Sequence, residues 1–252
     1  MTTKKYTFNK QKILSIDTNA KTVKGQKYNY LTAIVYFASH KQSGFNVCAQ
    51  ASKQCSENCL FFAGRGKFKN IQKSRIKKTR YYFEYRHNFM HQLKHEIQLF
   101  LNKAKRVNMI PCIRLNGTSD INYYSYKFDN DLNIFDTFKE VQFYDYSVIY
   151  KRMCLYMDNK LPKNYHLTFS RKEDNQFSVM QVLNNGFNAS VVFEKYLPKI
   201  YKGFEVINGD QSDLRFLDKK NVVVGLVYKK TKGDTTKIDN DSFIIKQSEV
   251  LK

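Results

Sequence analysis

The sequence predicts an α/β protein: a partial barrel of six βα-like units, followed by a C-terminal β-hairpin. Six short runs of apolar and aromatic residues recur along the chain, and such runs are typical of strands that are buried on both faces. The segments between most of these runs are long enough for the crossover helices that parallel strands require. Hydrophobic residues make up 42% of the chain, which excludes a wholly disordered protein.

The predicted strands follow a polar N-terminal arm, residues 1–29, and lie in one domain, residues 30–252. No internal repeat or low-complexity linker divides this domain, and single α/β domains often reach this length. The predicted strands are Leu31–Ala38, Ile110–Leu115, Val141–Tyr146, Tyr165–Ser170, Ala189–Glu194 and Phe204–Asn208.

The longest predicted helix covers Asn70–Arg106, because its apolar residues recur at helical spacing along one stripe. The stripe consists of Phe83, Met90, Leu93, Ile97, Phe100 and Leu101. Three shorter helices are predicted over Tyr123–Phe138, Val148–Asn159 and Asn175–Asn185. The C-terminal hairpin would pair Val222–Tyr228 with Ser242–Ile245 across a polar turn that contains a glycine.

The chain is strongly basic, with 43 lysines and arginines against 22 acidic residues and a net charge of +21. This excess favours a polyanionic partner, most simply nucleic acid, either DNA or RNA. A solvated basic surface without a dedicated partner is the alternative. The longest apolar run, Leu31–Ala38, is too short to span a bilayer, so we expect no membrane partner and an intracellular location.

Three cysteines, Cys48, Cys55 and Cys59, lie directly after the first predicted strand. Five cysteines in an intracellular chain argue against a disulfide framework, whereas soft thiolates select zinc or iron–sulfur. Three cysteines would leave one iron of a four-iron cluster open, and a fourth donor would close a structural zinc site instead. The candidates for that donor are His40, Cys112 and Cys154. Three thiols without a metal remain the alternative.

A basic segment follows the cysteines, with eight cations in sixteen residues and no acidic residue among them. Its cations are Arg65, Lys67, Lys69, Lys73, Arg75, Lys77, Lys78 and Arg80. Tyr81, Tyr82, Phe83 and Tyr85 follow and offer stacking surfaces. Cations beside aromatic rings are typical of proteins that bind single strands or exposed bases. The alternative is a solvated helix face whose aromatic residues point into the core.

Polar and acidic residues follow most of the predicted strands, where an α/β fold places its reactive groups. The carboxylates are Asp120, Asp145, Glu173, Glu194, Asp210 and Asp213. Converging carboxylates could hold Mg²⁺ or Mn²⁺ for phosphoryl transfer, or they could form structural ion pairs with Arg114, Arg171 and Arg215. We assign acid–base or metal-binding roles to Asp120, Asp145, Glu173, Asp210 and Asp213, and anion positioning to the three arginines.

His87, His91 and His95 recur at every fourth residue of the longest predicted helix. Adjacent members could share a metal ion, but their face turns away from the apolar stripe. We therefore expect these imidazoles to be solvated or to face phosphates.

A three-cysteine loop after the first strand, followed by βα units, resembles the architecture of radical S-adenosylmethionine enzymes. That resemblance implies a four-iron cluster, with S-adenosylmethionine as co-substrate. The usual Cys-x3-Cys-x2-Cys spacing is absent, and Asn116–Asp120 stands where that family has Gly-Gly-Glu. We therefore expect cluster binding ahead of radical chemistry.

Five longer motifs carry a second and more specific resemblance. They are Cys55–Gly66 (CSENCLFFAGRG), Arg114–Asp120 (RLNGTSD), Phe143–Ser147 (FYDYS), Pro162–Arg171 (PKNYHLTFSR) and Gly209–Asp218 (GDQSDLRFLD). Together they resemble the bacteriophage gene product eighty-eight group, whose members are carried by phages and some plasmids. The resemblance runs from about Ile34 to Phe243, and it implies a mobile-element origin and one site shared by these motifs, without an established activity.

The resulting hypothesis is a phage or plasmid enzyme that acts on nucleic acid in the host cytoplasm and carries a metal or iron–sulfur centre. The first alternative is a non-catalytic nucleic-acid-binding protein for replication or host takeover, with a structural zinc site. The second is an inhibitor of an acidic host protein.

Overall fold

A computed structural model describes residues 9–17, 20–62, 64–229 and 242–250. The strands are β1 (Leu14–Ile16), β2 (Tyr30–Val35), β3 (Ile110–Arg114), β4 (Gln142–Ser147), β5 (Tyr165–Ser170), β6 (Ala189–Phe193), β7 (Ile200–Tyr201), β8 (Phe204–Asn208), β9 (Val223–Val227) and β10 (Ile244–Ile245). The helices are α1 (Ala20–Gly25), α2 (Lys53–Glu57), α3 (Lys69–Glu84), α4 (Arg86–Arg106), α5 (Ile134–Thr137), α6 (Tyr150–Met157), α7 (Gln176–Asn184) and α8 (Gln247–Val250). A mixed α/β protein is therefore confirmed.

All ten strands belong to one sheet, which is not closed. Its order is β1-β2-β3-β4-β5-β6-β9-β8-β7, with β10 beside β6. The strands from β2 to β8 in this order are parallel to one another, whereas β1 and β7 pair antiparallel at the two edges. The loops that leave the parallel strands at their carboxyl ends therefore meet along one edge of the sheet.

The six strands that the sequence predicts correspond to β2, β3, β4, β5, β6 and β8. Two helix predictions need correction. The helix predicted over Asn70–Arg106 is two helices, because Tyr85 leaves the helical conformation (φ −133°, ψ 49°). Of the helix predicted over Tyr123–Phe138, only α5 forms, with Asn133 capping its first backbone N–H groups.

The C-terminal hairpin also needs correction. Both β9 and β10 pair with β6 in parallel, and they lie on opposite edges of it. Within the described residues the two strands are therefore separated by β6 and form no antiparallel pair. The turn expected between them falls on residues 230–241, outside the described residues.

Helices α4, α6 and α7 cover one face of the sheet. Phe89, Leu93 and Ile97 of α4 are fully buried there, together with Met153 of α6 and Val182 of α7. The other face carries a separate, smaller core that consists of Cys112, Tyr144 and Leu214, with Tyr30 and Phe216 packed against it. Leu214 and Phe216 come from the segment between β8 and β9. A parallel sheet with its main helices on one face is the arrangement found in βα barrels.

Helices α3 and α4 fix the N-terminal strand. The carboxylate of Glu96 accepts hydrogen bonds from the backbone N–H groups of Ile13 (2.9 Å) and Leu14 (2.8 Å). The ammonium of Lys78 donates to the carbonyl oxygen of Ile13 at 2.6 Å. Burial lowers the pKa of Lys78 to about 8, although the nearby Glu96 raises it in part. Part of the predicted polar arm is thus tied into the fold.

We expect Glu96→Ala to lower the free energy of unfolding by about 3 kcal/mol, because it leaves two backbone donors and a buried ammonium without their carboxylate. Urea unfolding measures this change. Glu84→Ala, at an exposed position of α3, is the matched control and should stay within about 0.5 kcal/mol of the wild type. Equal effects of the two variants would contradict the role assigned to Glu96.

Candidate functional site

The three cysteines lie on one segment, residues 46–62, which we call the cysteine loop. It follows β2 at the carboxyl edge of the sheet, and Cys55 lies within the short helix α2. Burial raises the pKa of Cys48 and of Cys55 to about 12, and each pKa is raised further by the charges of the neighbouring cysteines. The thiols therefore lie within electrostatic reach of one another.

The spacing of the thiols bears on the metal they could hold. A single tetrahedral zinc ion with bonds of 2.3 Å to sulfur requires sulfur atoms about 3.8 Å apart. Among the described residues, no group of three potential ligands that includes a cysteine lies within 4.8 Å. At least one pair of the three thiols is thus farther apart than one zinc ion requires, whereas a multi-iron cluster accepts a wider separation.

The two remaining cysteines lie elsewhere in the sheet and helix layers. The thiol of Cys112 contacts the hydroxyl of Thr32 at 3.2 Å, inside the smaller core. Cys154 lies on α6 beside Tyr150. Of the fourth donors considered for zinc, only His40 belongs to the segment that joins β2 to the cysteine loop.

Asp120 anchors the first part of the cysteine loop. Its backbone N–H donates to the carbonyl oxygen of Val47 at 2.9 Å, next to Cys48. Its carboxylate pairs with the guanidinium of Arg152 on α6 and accepts hydrogen bonds from the hydroxyl of Ser147 (3.0 Å) and the N–H of Val148 (2.9 Å). Both members of the ion pair are buried. The carboxylate thus fixes Asp120 to α6 and to the end of β4, and the backbone of Asp120 holds the cysteine loop.

Glu173 anchors the second part of the loop. Its carboxylate accepts hydrogen bonds from the hydroxyl of Ser52 (2.6 Å) and the backbone N–H of Gln54 (3.0 Å). These two residues begin α2, which carries Cys55. Glu173 thus acts across 119 residues of sequence to fix the helix that presents a thiol.

The C-terminal strand closes the same region. The side-chain oxygen of Gln54 accepts hydrogen bonds from the hydroxyl of Ser242 (2.7 Å) and the N–H of Phe243 (2.8 Å). Arg171 donates to the carbonyl oxygens of the same two residues at 2.6 and 3.2 Å. The guanidinium of Arg171 therefore fixes β10 beside the cysteine loop, and it does not lie open to an anion.

Positive charge and backbone donors surround the thiols. Burial raises the pKa of Cys59, while the backbone of Phe61 and the charge of Arg75 lower it in part. Lys172 acts in the same way on Cys55, and a backbone hydrogen bond from His40 does so on Cys48. The Nη1 atom of Arg75 is buried without a hydrogen-bond partner among the described residues. These groups offset part of the cost that burial imposes on a negatively charged sulfur centre.

Asp145 lies inside the helix-covered core. Its carboxylate accepts hydrogen bonds from the backbone N–H of Asn116 (2.7 Å), the side-chain amide of Asn116 (3.1 Å) and the hydroxyl of Tyr165 (3.1 Å). The residue is fully buried and shares a face of β4 with Phe143. Its contacts hold the Asn116–Asp120 motif in place, so the carboxylate does not face the carboxyl edge as a free base.

The arginines Arg114 and Arg215 form ion pairs on the other face of the sheet. Asp213 pairs with Arg114 at 3.3 Å and accepts a hydrogen bond from the hydroxyl of Tyr144 at 3.2 Å. The guanidinium of Arg215, 1% exposed, lies 3.2 Å from Asp218. These contacts match the structural ion-pair alternative for both arginines.

The carboxylates of Asp210 and Glu194 each accept a hydrogen bond from a backbone N–H group. Asp210 accepts a hydrogen bond from the N–H of Val227 at 3.0 Å and lies 3.4 Å from Lys229. Glu194 accepts from the N–H of Gln247 at 3.2 Å. Within the part of the chain that the structure describes, no three of the strand-end carboxylates lie within 4.8 Å of one another. No three of them are therefore arranged as ligands of one Mg²⁺ or Mn²⁺ ion.

The cations of the basic segment differ in their exposure to solvent. Six of its cations have exposed positions: Arg65, Lys67, Lys69, Lys73, Lys77 and Arg80. Lys78 is buried against the N-terminal strand, and the guanidinium of Arg75 lies 4.5 Å from the centre of the Tyr36 ring, facing the cysteine loop. These two cations are therefore not available to phosphates on the surface.

Two of the aromatic residues expected to offer stacking surfaces, Tyr82 and Phe83, are packed against the rest of the fold. Tyr82 is buried, and Phe83 stacks on Phe45 with ring centres 4.7 Å apart. Tyr85 remains 60% exposed, and Phe62 and Phe68 are exposed as well. The last two flank Arg65 and Lys67 directly after Cys59. The surface next to the cysteine loop therefore combines cations with open aromatic rings.

Sequence reasoning missed Arg152, Ser52 and Asn116. Arg152 neutralises the carboxylate of Asp120, Ser52 binds Glu173, and Asn116 binds Asp145. Asn116 belongs to the motif Arg114–Asp120, and this motif is the sequence signal that could have indicated it. Nothing in the sequence indicates which arginine pairs with Asp120, because Arg152 lies 32 residues further along the chain.

Fold and site together define an α/β protein with a mostly parallel, open sheet and a cysteine loop at its carboxyl edge. The chain belongs to the Gene product 88 family, whose model matches residues 8–247. This match confirms the resemblance indicated by the longer motifs and includes the cysteine loop. No curated protein and no solved structure matches the chain. None of the described helices is both long and apolar enough to cross a membrane.

The buried carboxyl of Asp145 predicts a pH-dependent stability. Burial raises its pKa to about 7, although its hydrogen bonds and the nearby Arg114 lower it in part. Between about pH 4 and pH 7 the folded state keeps this proton and the unfolded state loses it, so the free energy of unfolding falls as pH rises.

Asp145→Asn removes this titration. The difference in free energy of unfolding between wild type and variant should therefore fall by up to about 4 kcal/mol from pH 4 to pH 7 and then level off. Urea unfolding at a series of pH values measures it. A difference that does not depend on pH would contradict the assignment.

Proposed function

We propose that this protein is a phage- or plasmid-encoded iron–sulfur enzyme that acts on nucleic acid in the host cytoplasm. In this proposal the cluster is held by Cys48, Cys55 and Cys59, and the adjacent basic surface binds the substrate. The observation that carries the proposal is the cysteine loop itself. Its three thiols lie on one loop at the carboxyl edge of a parallel sheet, where α/β enzymes hold their reactive groups.

The donor set fits an iron–sulfur cluster. All three donors are thiols, at least one pair of them is farther apart than one zinc ion requires, and backbone donors lie against Cys48 and Cys59. The charges of Arg75 and Lys172 offset negative charge on the sulfur atoms. When bound, a four-iron cluster with three cysteine ligands supplies one open iron as a Lewis-acid or electron-transfer site.

The fold supports the same proposal. Helices on one face of a parallel sheet are the arrangement of a βα barrel, and a partial barrel would leave the opposite face directed inward. The inward residues of β3 and β4 are then Arg114, Tyr144 and Tyr146, and the guanidinium of Arg114 lies 4.6 Å from the centre of the Tyr146 ring. A partial barrel is part of this proposal.

The substrate-binding surface is the exposed part of the basic segment. Lys69, Lys73 and Lys77 recur at every fourth residue of α3 and therefore lie on one face of that helix. Arg65, Lys67 and the exposed rings of Phe62 and Phe68 extend this surface to the cysteine loop. Cations would neutralise backbone phosphates while the rings stack on unpaired bases.

A second candidate function is nucleic-acid binding without turnover. It is favoured by the contacts of the strand-end carboxylates. Asp120, Asp145, Glu173 and Asp213 each bind groups of the protein itself, so none is positioned as a free general base. In this reading the cysteines only stabilise the loop.

Iron and acid-labile sulfide measured on protein purified without oxygen test the proposal. We expect about four irons per chain, with a cluster absorption band. Cys48→Ala, Cys55→Ala and Cys59→Ala should each retain less than about one iron, because two thiols hold a four-iron cluster poorly. Cleavage of S-adenosylmethionine by the iron-loaded protein would then separate radical chemistry from other cluster reactions.

Cys154→Ala is the matched control, since it removes a half-buried thiol from α6 outside the cysteine loop. It should keep the iron content of the wild type. A wild-type protein without iron and sulfide, whether or not it holds zinc, would refute the cluster enzyme and favour the second candidate.

The nucleic-acid surface is tested by a triple variant, Lys69→Ala with Lys73→Ala and Lys77→Ala. Its affinity for single-stranded DNA or RNA should fall, and the slope of log affinity against log salt should decrease by about 2, because about three phosphate contacts are lost. The control variant replaces Lys195, Lys199 and Lys202, which are exposed near β7. Both variants have the same net charge, so equal losses of affinity would contradict a local surface on α3.

A further inference from the structure

Two histidines of α4 and one aspartate form a cluster that the proposed function does not use. His87 and His91 lie one helical turn apart, with ring centres separated by 4.5 Å. Asp129 comes from the segment between β3 and α5. One ligand atom from each of the three side chains lies within 4.8 Å of the other two. Among the described residues, this is the one group of three potential metal ligands with such spacing.

We propose that His87, His91 and Asp129 bind a first-row divalent metal ion, with Zn²⁺ as the preferred ion. A tetrahedral zinc ion with bonds of about 2.1 Å requires ligand atoms about 3.4 Å apart, so small side-chain rotations bring the three atoms into contact with one ion. Two imidazoles with one carboxylate are a common zinc-binding set and leave a fourth position open. Because His87 and Asp129 are exposed, that position is accessible from solvent.

The surroundings orient the ligands before a metal binds. The Nδ1 atom of His87 lies 2.7 Å from the hydroxyl of Tyr126, and this contact orients the imidazole ring. His91 packs edge-on against Phe128, with ring centres 5.4 Å apart. Phe128 is itself buried.

The turn that carries Asp129 is closed by a backbone hydrogen bond. The N–H of Phe128 donates to the carbonyl oxygen of Leu132 at 2.9 Å. Lys94, the nearest cation on α4, lies over the Phe128 ring at 4.9 Å. A metal ion would therefore link α4 to a turn whose position is already fixed.

This inference is independent of the proposed iron–sulfur centre. The cysteine loop offers only thiols, whereas this cluster offers nitrogen and oxygen ligands, which suit zinc and cobalt. Co²⁺ bound to thiolates and Co²⁺ bound to imidazole and carboxylate have different absorption spectra. The two sites can therefore be distinguished in one protein.

The test is a Co²⁺ and Zn²⁺ titration of the full chain, followed by calorimetry and visible absorption, after its iron content has been measured. We expect one Co²⁺ per chain without thiolate charge-transfer bands. Saturating Zn²⁺ should raise the melting temperature by about 5 °C. His91→Ala and Asp129→Asn should each abolish both effects; Asp129 is exposed, so its replacement leaves the fold intact.

His95→Ala is the matched control, because it removes the next histidine of α4, outside the group of three ligands. It should bind Co²⁺ as the wild type does. Two results would overturn the inference: no binding to the wild type, or binding that survives both His91→Ala and Asp129→Asn and is lost in Cys55→Ala.

Discussion

The carboxylate of Glu173 and the backbone of Asp120 hold the cysteine loop against the carboxyl edge of the sheet. Asp120 is itself held by the buried guanidinium of Arg152. Removing two such charges from water is costly, and the pair stabilises the fold only because further hydrogen bonds complete it. Loss of one partner would leave a buried, uncompensated charge. The position of the thiols thus depends on contacts made by three distant parts of the chain.

The same contacts explain why a strongly basic protein carries acidic residues at the ends of its strands. Each carboxylate neutralises an internal cation or satisfies backbone donors that the loops at the edge of the sheet leave unpaired. The exposed cations of α3 remain directed to the surface. Internal negative charge and external positive charge are therefore separated, and the surface beside the cysteine loop attracts anions.

The sequence predicted the strands well, because short apolar runs such as Tyr165–Ser170 are typical of strands that are buried in a parallel sheet. It also located the cysteine loop correctly after the first parallel strand. The roles of individual charges could not be predicted in this way. Lys78 belongs to a run of cations but turns inward to Ile13, and Asp129 approaches His91 only through the folding of an irregular segment. Contacts between residues that are far apart in the sequence produce no periodic pattern in the local sequence.

The central claim is that Glu173 positions the cysteine loop for its cluster. The iron and sulfide content of Glu173→Ala, purified without oxygen beside the wild type and the exposed-site control Asp158→Ala, tests it most directly. The account predicts that the wild type and Asp158→Ala hold about four irons and that Glu173→Ala holds less than about half of that. A Glu173→Ala protein that keeps its full cluster would contradict the account.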